Sequence, residues 1–271
     1  MNQCIPFFFL MATAAYANAG NDAPATSPKM DASNVEMTRP LGTAERVALP
    51  PLKFIQTIWN KADFGRAGYY DGEFRVRRLD DGFLETIQSG SYRASPSPHT
   101  ETIQSLCGLA PRSRNESSDL HLTSGPTIGG ASFTMQQRIV ISVEERATRL
   151  EPRDFMFCGI QPDSTFDFLT ETESIRRSQA TYLGSSKKPK IKTTTITITH
   201  RCKAAGTSTA ASLIAGNLSG NSIDVTCESV DQKKRITTSR YAYLVDYRYY
   251  LPLSEQSKWQ RHETTYFALD E

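Results

Sequence analysis

Histidine, net charge and long apolar runs are scarce in this chain of 271 residues. Its four histidines, at positions 99, 121, 200 and 262, show none of the short spacings of a metal-binding motif. Its 31 Lys and Arg residues nearly balance its 29 Asp and Glu residues, so the formal net charge is only +2. Such a balance is atypical of proteins that bind nucleic acid through a basic surface. We therefore expect neither a metal site nor a nucleic-acid partner.

Motifs for catalysis and nucleotide binding are missing as well. The chain has no Gly-x-Ser-x-Gly nucleophile elbow, no phosphate-binding glycine loop and no dinucleotide fingerprint. We expect no cofactor, and the sequence favours a non-enzymatic protein. The alternative is a hydrolase whose site is assembled only by the fold. Its candidate residues are Ser208, Asp246, His200 and His262.

The longest apolar run lies at the amino terminus, between Cys4 and Ala15. It is roughly a dozen residues long, whereas a membrane-spanning helix needs about 20. The tripeptide Ala17-Asn18-Ala19 follows it and is typical of a signal-peptide cleavage site. The pattern predicts a signal peptide over residues 1–19, with export to the periplasm or the extracellular space. After cleavage we expect no transmembrane segment.

Four of the five cysteines remain after that cleavage, an even number in a chain expected to fold in an oxidising compartment. They are Cys107, Cys158, Cys202 and Cys227. Four cysteines allow three pairings, and sequence alone does not choose between them. We favour Cys202 with Cys227, because both lie in strand-like patterns, and consequently Cys107 with Cys158. Both disulfides are expected to be structural.

Hydroxyl residues point to a mainly β fold. The chain has 28 Thr and 26 Ser, many of them next to Val, Ile and Tyr, a mixture typical of strands. We interpret residues 20–51 as a flexible leader and residues 52–271 as a β-rich domain. A division of that domain into two subdomains, 52–170 and 171–271, stays open. The expected architecture is an antiparallel β-sandwich with two disulfides.

Local patterns add three expectations. Apolar residues at helical spacing predict one short amphipathic helix over residues 52–62, with Trp59 as a core anchor. Asp81-Gly82 predicts a hairpin whose register places Arg78 opposite Glu85. Four prolines between residues 89 and 130 favour a segment that is mostly loop.

Tyrosines recur at every second position near the carboxyl end of the chain. They are Tyr241, Tyr243, Tyr247 and Tyr249, and we call them the Tyr face. On a single strand they would share one side and could bind a protein or a carbohydrate. The competing interpretation is a wall of the β core with hydroxyls at its rim.

These observations predict an exported, non-enzymatic binding or interaction protein of the cell envelope or extracellular space. Its candidate site is the Tyr face, and its ligand and oligomeric state are open. Besides the hydrolase, an outer-membrane β-barrel is a further alternative, because the strands alternate and the chain carries an export signal.

Overall fold

The computed structural model describes residues 48–60, 65–79, 83–92, 95–124, 127–128, 131–132, 135–151, 156–182, 185–186 and 188–269. The expected signal peptide, most of the expected leader and the Asp81-Gly82 dipeptide lie outside these residues.

The described part of the chain is built almost entirely of β-strands. The strands are β1 Leu52–Asn60, β2 Gly65–Arg78, β3 Leu84–Tyr92, β4 Ser95–Leu106, β5 Ala110–Ser124, β6 Thr127–Ile128, β7 Ala131–Ser132, β8 Met135–Glu151, β9 Thr165–Tyr182, β10 Ser185–Ser186, β11 Lys190–Ala210, β12 Asn221–Asp231, β13 Ile236–Leu244, β14 Tyr249–Ser257 and β15 Gln260–Ala268. Two single-turn 3-10 helices are present at Met156–Gly159 and Ala211–Leu213. Among these residues, none forms a helix with the length and apolar character to cross a membrane.

Twelve of the strands form one closed antiparallel barrel. Each pairs with the next long strand along the chain, and β1 pairs with β15 to complete the circle. The mainly β class is thus confirmed, whereas the expected sandwich is wrong. Apolar and polar residues alternate along the strands of a sandwich and of a barrel alike. The pairing of the first strand with the last makes this fold a barrel, because it leaves neither strand as an edge. Strands from both segments of the open subdomain division, 52–170 and 171–271, belong to this one sheet.

The expected helix after Pro51 is wrong, because residues 52–60 form β1; residues 61 and 62 lie outside the described part of the chain. Leu52, Phe54 and Ile58 are buried, which is a period of two interrupted once, and Trp59 is an exposed side chain instead of a core anchor. The strand gains backbone hydrogen bonds on both sides, from β15 and β2. A helix of about three turns is only marginally stable by itself, so these tertiary contacts decide the conformation.

The predicted hairpin is present as β2 and β3, but its register differs by one residue. Arg77, and not Arg78, is opposite Glu85 and forms an ion pair with it. The backbone N–H of Leu79 donates to the carbonyl of Phe83, so three residues lie between these positions where a two-residue turn was expected. Since the side-chain period of a strand is two, this shift changes which residues face inward.

The expectation of a long loop after residue 89 is also wrong, because β4 and β5 occupy most of that segment. Its prolines lie where strands tolerate them: Pro96 and Pro98 near the start of β4, and Pro111 beside an irregularity in the β4–β5 pairing.

Two apolar clusters lie inside the barrel. The first cluster contains the four cysteines that follow the expected signal peptide, with Cys107 bonded to Cys158 and Cys202 bonded to Cys227, which is the favoured pairing. The second cluster is built around aromatic and aliphatic side chains of β1, β2, β14 and β15, among them Phe54 and Phe74.

The β13–β14 hairpin end separates these two clusters. Tyr243 and Tyr250 belong to the first cluster, whereas Leu244 and Leu251 belong to the second. The N–H of Tyr250 donates to the carbonyl of Cys107 at 2.7 Å, in the turn between β4 and β5. Since β14 is not a neighbour of β4 or β5 in the sheet, this bond joins distant parts of the barrel. The hairpin end is therefore buried on both faces and fills this end of the interior.

Candidate functional site

The Tyr face does not exist as a single strand face, so this expectation is wrong. β13 ends at Leu244, a turn covers residues 245–248, and β14 begins at Tyr249. Tyr243, Tyr247 and Tyr249 are each 5% exposed or less. The turn consists of residues 245–248, and Arg248 in it adopts a positive φ of 49°, which ends the extended conformation. The spacing of two between the tyrosines on either side of the turn is therefore a coincidence.

The buried hydroxyls of Tyr243, Tyr247 and Tyr249 have structural partners. Tyr243 donates to the carbonyl of Cys158 at 2.8 Å, and Tyr249 Oη lies 2.8 Å from Thr86 Oγ1. Tyr247 Oη accepts the N–H of Ser219 at 3.0 Å. Tyr241 is half-buried, and its burial raises the pKa of its phenol to about 12. These contacts favour the alternative interpretation of a core wall.

A charged layer lies on the inner face of the barrel, centred on Arg114 in β5. Its Nε binds Glu101, its Nη2 lies 3.0 Å from Glu116, and its Nη1 lies 3.5 Å from Glu145. The Arg114 side chain is only 25% exposed, and those of Glu101 and Glu116 are less so. Such a buried network needs every charge to be compensated.

Strand register explains how the chain brings these residues together. Glu101 of β4 is opposite Glu116 of β5, and Arg114 is opposite Glu145 of β8. The intervening positions of the same strands point outward, because side chains alternate across a sheet. Three consecutive strands therefore contribute one inner row of charge.

Glu255 on β14 adds a fourth carboxyl to this layer. Burial raises the pKa of Glu255, nearby Glu101 raises it further, and Arg114 opposes both effects. The guanidinium of Arg114 thus contacts three carboxyl groups and acts electrostatically on a fourth. Among the described side chains that contact Arg114 or share its electrostatic influence, the carboxyl groups outnumber the guanidinium.

His99 borders the same layer and is held in its neutral form. Burial is the largest influence on its pKa and lowers it, against the opposite effect of Glu116. Its Nδ1 lies 2.8 Å from Ser118 Oγ, and its ring contacts Tyr70 edge-on. His99 therefore supplies no positive charge to balance the glutamates at neutral pH.

The structure does not bring the hydrolase candidates together. His200 stacks on Phe168 with ring centroids 4.2 Å apart, and its two nitrogens lie near Thr170 Oγ1 and Ser229 Oγ. Ser208 is on the same strand, eight positions away, which corresponds to roughly 26 Å of extended chain. Asp246 lies in the turn after β13. His262 has a buried Nε2 without a partner, and its burial lowers its pKa.

Metal binding has no support in the described ranges either, since no group of three or more His, Cys, Asp or Glu side chains there could hold an ion.

Sequence reasoning missed the charged layer because it interpreted β4 and β5 as loop. A signal was present: His99, Glu101 and Ile103 alternate with threonines and a glutamine, and Arg114 and Glu116 continue the period of two. Nothing in the sequence paired those two strands with β8 and β14.

Fold and interior together define a class: a disulfide-bonded, twelve-stranded antiparallel barrel with apolar clusters and a charged inner layer. No family model matches the chain, and no curated protein or solved structure shows significant similarity to it.

Replacing Arg114 tests whether it holds the layer together. We expect Arg114→Met to lower the free energy of unfolding by roughly 3 to 5 kcal/mol, because it leaves buried carboxylates without their cation. Urea unfolding followed by circular dichroism measures the change. Arg114→Lys, which keeps the charge, should lose less, and Arg240→Met, which breaks an exposed pair with Asp224, should lose little. A Met variant as stable as the parent would contradict this role.

His200 predicts a loss of stability in acid. Its burial lowers its pKa to about 4, below the value of about 6.5 for an unfolded histidine. The stability that this group contributes is present above pH 6.5 and is lost as the pH falls towards 4, because the unfolded state binds the proton first. Between pH 7 and pH 4, the free energy of unfolding measured with urea should fall by about 2 to 3 kcal/mol less in His200→Gln than in the parent. Thr199→Gln, a change at the neighbouring outward-facing position, is the control and should lose as much stability as the parent. An equal loss in the parent and in His200→Gln would contradict this role of His200.

Proposed function

We propose that this is an exported, non-enzymatic binding protein whose ligand is a small cation held inside the barrel. The observation that carries the proposal is the group of four carboxyl groups around Arg114, three of which contact its guanidinium while Glu255 is influenced by its charge. The two disulfides support export, because such bonds are typical of oxidising compartments.

Barrel size supports a ligand in the interior. A barrel of about eight strands is just filled by its own side chains, whereas wider barrels enclose space. Here the apolar clusters and the β13–β14 hairpin end occupy one part of the inside. The remaining inner positions carry polar groups such as Glu101, Arg114 and Glu255, which would gain from a partner.

Charge supports a cationic ligand. Carboxylates removed from water are costly unless a positive charge compensates them. Arg114 compensates only part of the layer, and His99 is held neutral. An amine between Glu255 and Glu101 would supply the missing cation. Because Tyr243, Tyr247 and Tyr249 are buried, we propose this layer, and not the Tyr face, as the binding site.

The alternative of an outer-membrane barrel shares the architecture but differs on the outer surface. Lipid-facing positions of such barrels form an apolar band, and charge there is destabilising. Outward positions of this barrel carry exposed charges on many strands. Examples on five of them are Arg75, Glu144, Arg201, Arg240 and Arg261. These exposed charges favour a barrel whose outer wall is surrounded by water and not by lipid.

Spermidine is a suitable probe, because it is a small flexible polycation. We expect it to raise the unfolding temperature of the native protein at low salt, since a ligand that binds only the folded state stabilises it. Isothermal titration of Glu255→Gln should show binding about tenfold weaker, which corresponds to the loss of about 1.4 kcal/mol. Glu228→Gln, an exposed change on β12, is the matched control and should bind as the parent does.

Two results would overturn the proposal. One is the absence of binding by spermidine, arginine amide and choline alike. The other is spermidine binding of equal strength in the parent, Glu255→Gln and Glu228→Gln, because that would place the cation on the outer surface.

A further inference from the structure

Both tryptophans of the chain lie at one end of the barrel, and both are exposed. Trp59 is 40% exposed near the end of strand β1, and Trp259 is 65% exposed in the turn between β14 and β15. Ile236, at the start of β13, is 53% exposed. Large apolar side chains grouped at the surface in this way mark interaction sites more often than isolated ones do.

Strand register places these three residues side by side. Trp59 is opposite Arg261 of β15, two residues after Trp259. Thr237 is opposite Ser257, so Ile236 lies beside the turn that holds Trp259. With neighbouring strands about 4.8 Å apart, the four strand ends span only about 15 Å.

Basic residues surround this apolar group. The segments 231–236 and 257–263 contain five cations and two anions. Lys233, Lys234 and Lys258 are exposed, and the Nζ of Lys258 lies 4.7 Å from the centre of the Trp259 ring. Arg235 and Arg261 pair with the two anions, Asp231 and Glu263. We call Trp59, Trp259, Ile236, Lys233, Lys234 and Lys258 the Trp rim.

We propose that the Trp rim docks on the surface of an anionic phospholipid bilayer. Tryptophan is enriched at the level of lipid headgroups, where its ring is buried and its N–H stays hydrated. Each lysine near an anionic surface adds about 1 kcal/mol of attraction. The rim combines both features at the tip of a barrel whose wall is charged, so only the tip enters the headgroup region. This docking is independent of a ligand inside the barrel.

Charge complementarity favours a lipid surface over a second copy of the chain. Two copies meeting through this rim would bring like charges together, which is unfavourable. A bilayer with anionic headgroups presents the opposite charge over the whole width of the rim. Ile236 and the two indoles then supply the apolar contact.

Tryptophan fluorescence is a direct test, because the only two indoles of the chain belong to the rim. The full protein is titrated with vesicles of phosphatidylcholine alone and of phosphatidylcholine mixed with phosphatidylglycerol. We expect a blue shift and co-sedimentation with the mixed vesicles, and little of either with phosphatidylcholine alone. Lys233→Glu/Lys234→Glu should weaken binding about tenfold or more. Trp259→Ser should weaken it as well.

Matched controls separate the rim from the rest of the surface. Arg201→Glu/Lys203→Glu reverses two exposed charges on the outer face of β11, and Leu213→Ser removes an exposed apolar side chain from the opposite end of the barrel. Both should bind the mixed vesicles as the parent does. The proposal is overturned by no binding to them, by equal binding to both vesicle types, or by binding that the rim variants leave unchanged. Circular dichroism confirms that each variant is folded.

Discussion

Pairing of the first strand with the last is the interaction on which the rest of this structure depends. β1 and β15 are aligned along their whole length, from Leu52 with Ala268 to Asn60 with Gln260. Without this pairing the sheet would have two long edges with unpaired N–H and C=O groups, which invite aggregation. With it, simple alternation along each strand becomes a distinction between an inner and an outer surface.

Closure then gives the inner surface two unlike parts. Disulfides and buried tyrosines stabilise the part around the β13–β14 hairpin end, where Tyr250 bonds to Cys107 across the interior. Beyond it, the inner row is held by charge, with Arg114 between glutamates from neighbouring strands. A charged layer of this kind weakens a fold unless its groups are paired, which is the physical reason for the proposal that it binds a cation.

Features set by local chemistry could be predicted from the sequence. The alternation of β11 and β12, the β2–β3 hairpin and the pairing of Cys202 with Cys227 all follow from short segments. Features set by distant partners could not. The apolar spacing of β1 fits both the helical and the strand period, and only its pairing with β15 and β2 decides between them. The charged layer depends on the register of β4, β5 and β8, in which a slip of one residue would turn Arg114 outward.

The most direct test of this account is a distance across the closure. Spin labels attached at Thr57→Cys and Glu263→Cys would sit on residues that are directly opposite in the β1–β15 pairing. Opposite residues of antiparallel strands have Cα atoms about 5 Å apart, so a closed barrel predicts strong dipolar broadening of the electron paramagnetic resonance spectrum. A spectrum without broadening, from labels more than about 20 Å apart, would mean that the strands form an open sheet. The charged layer would then not be enclosed in an interior, and the account would be contradicted.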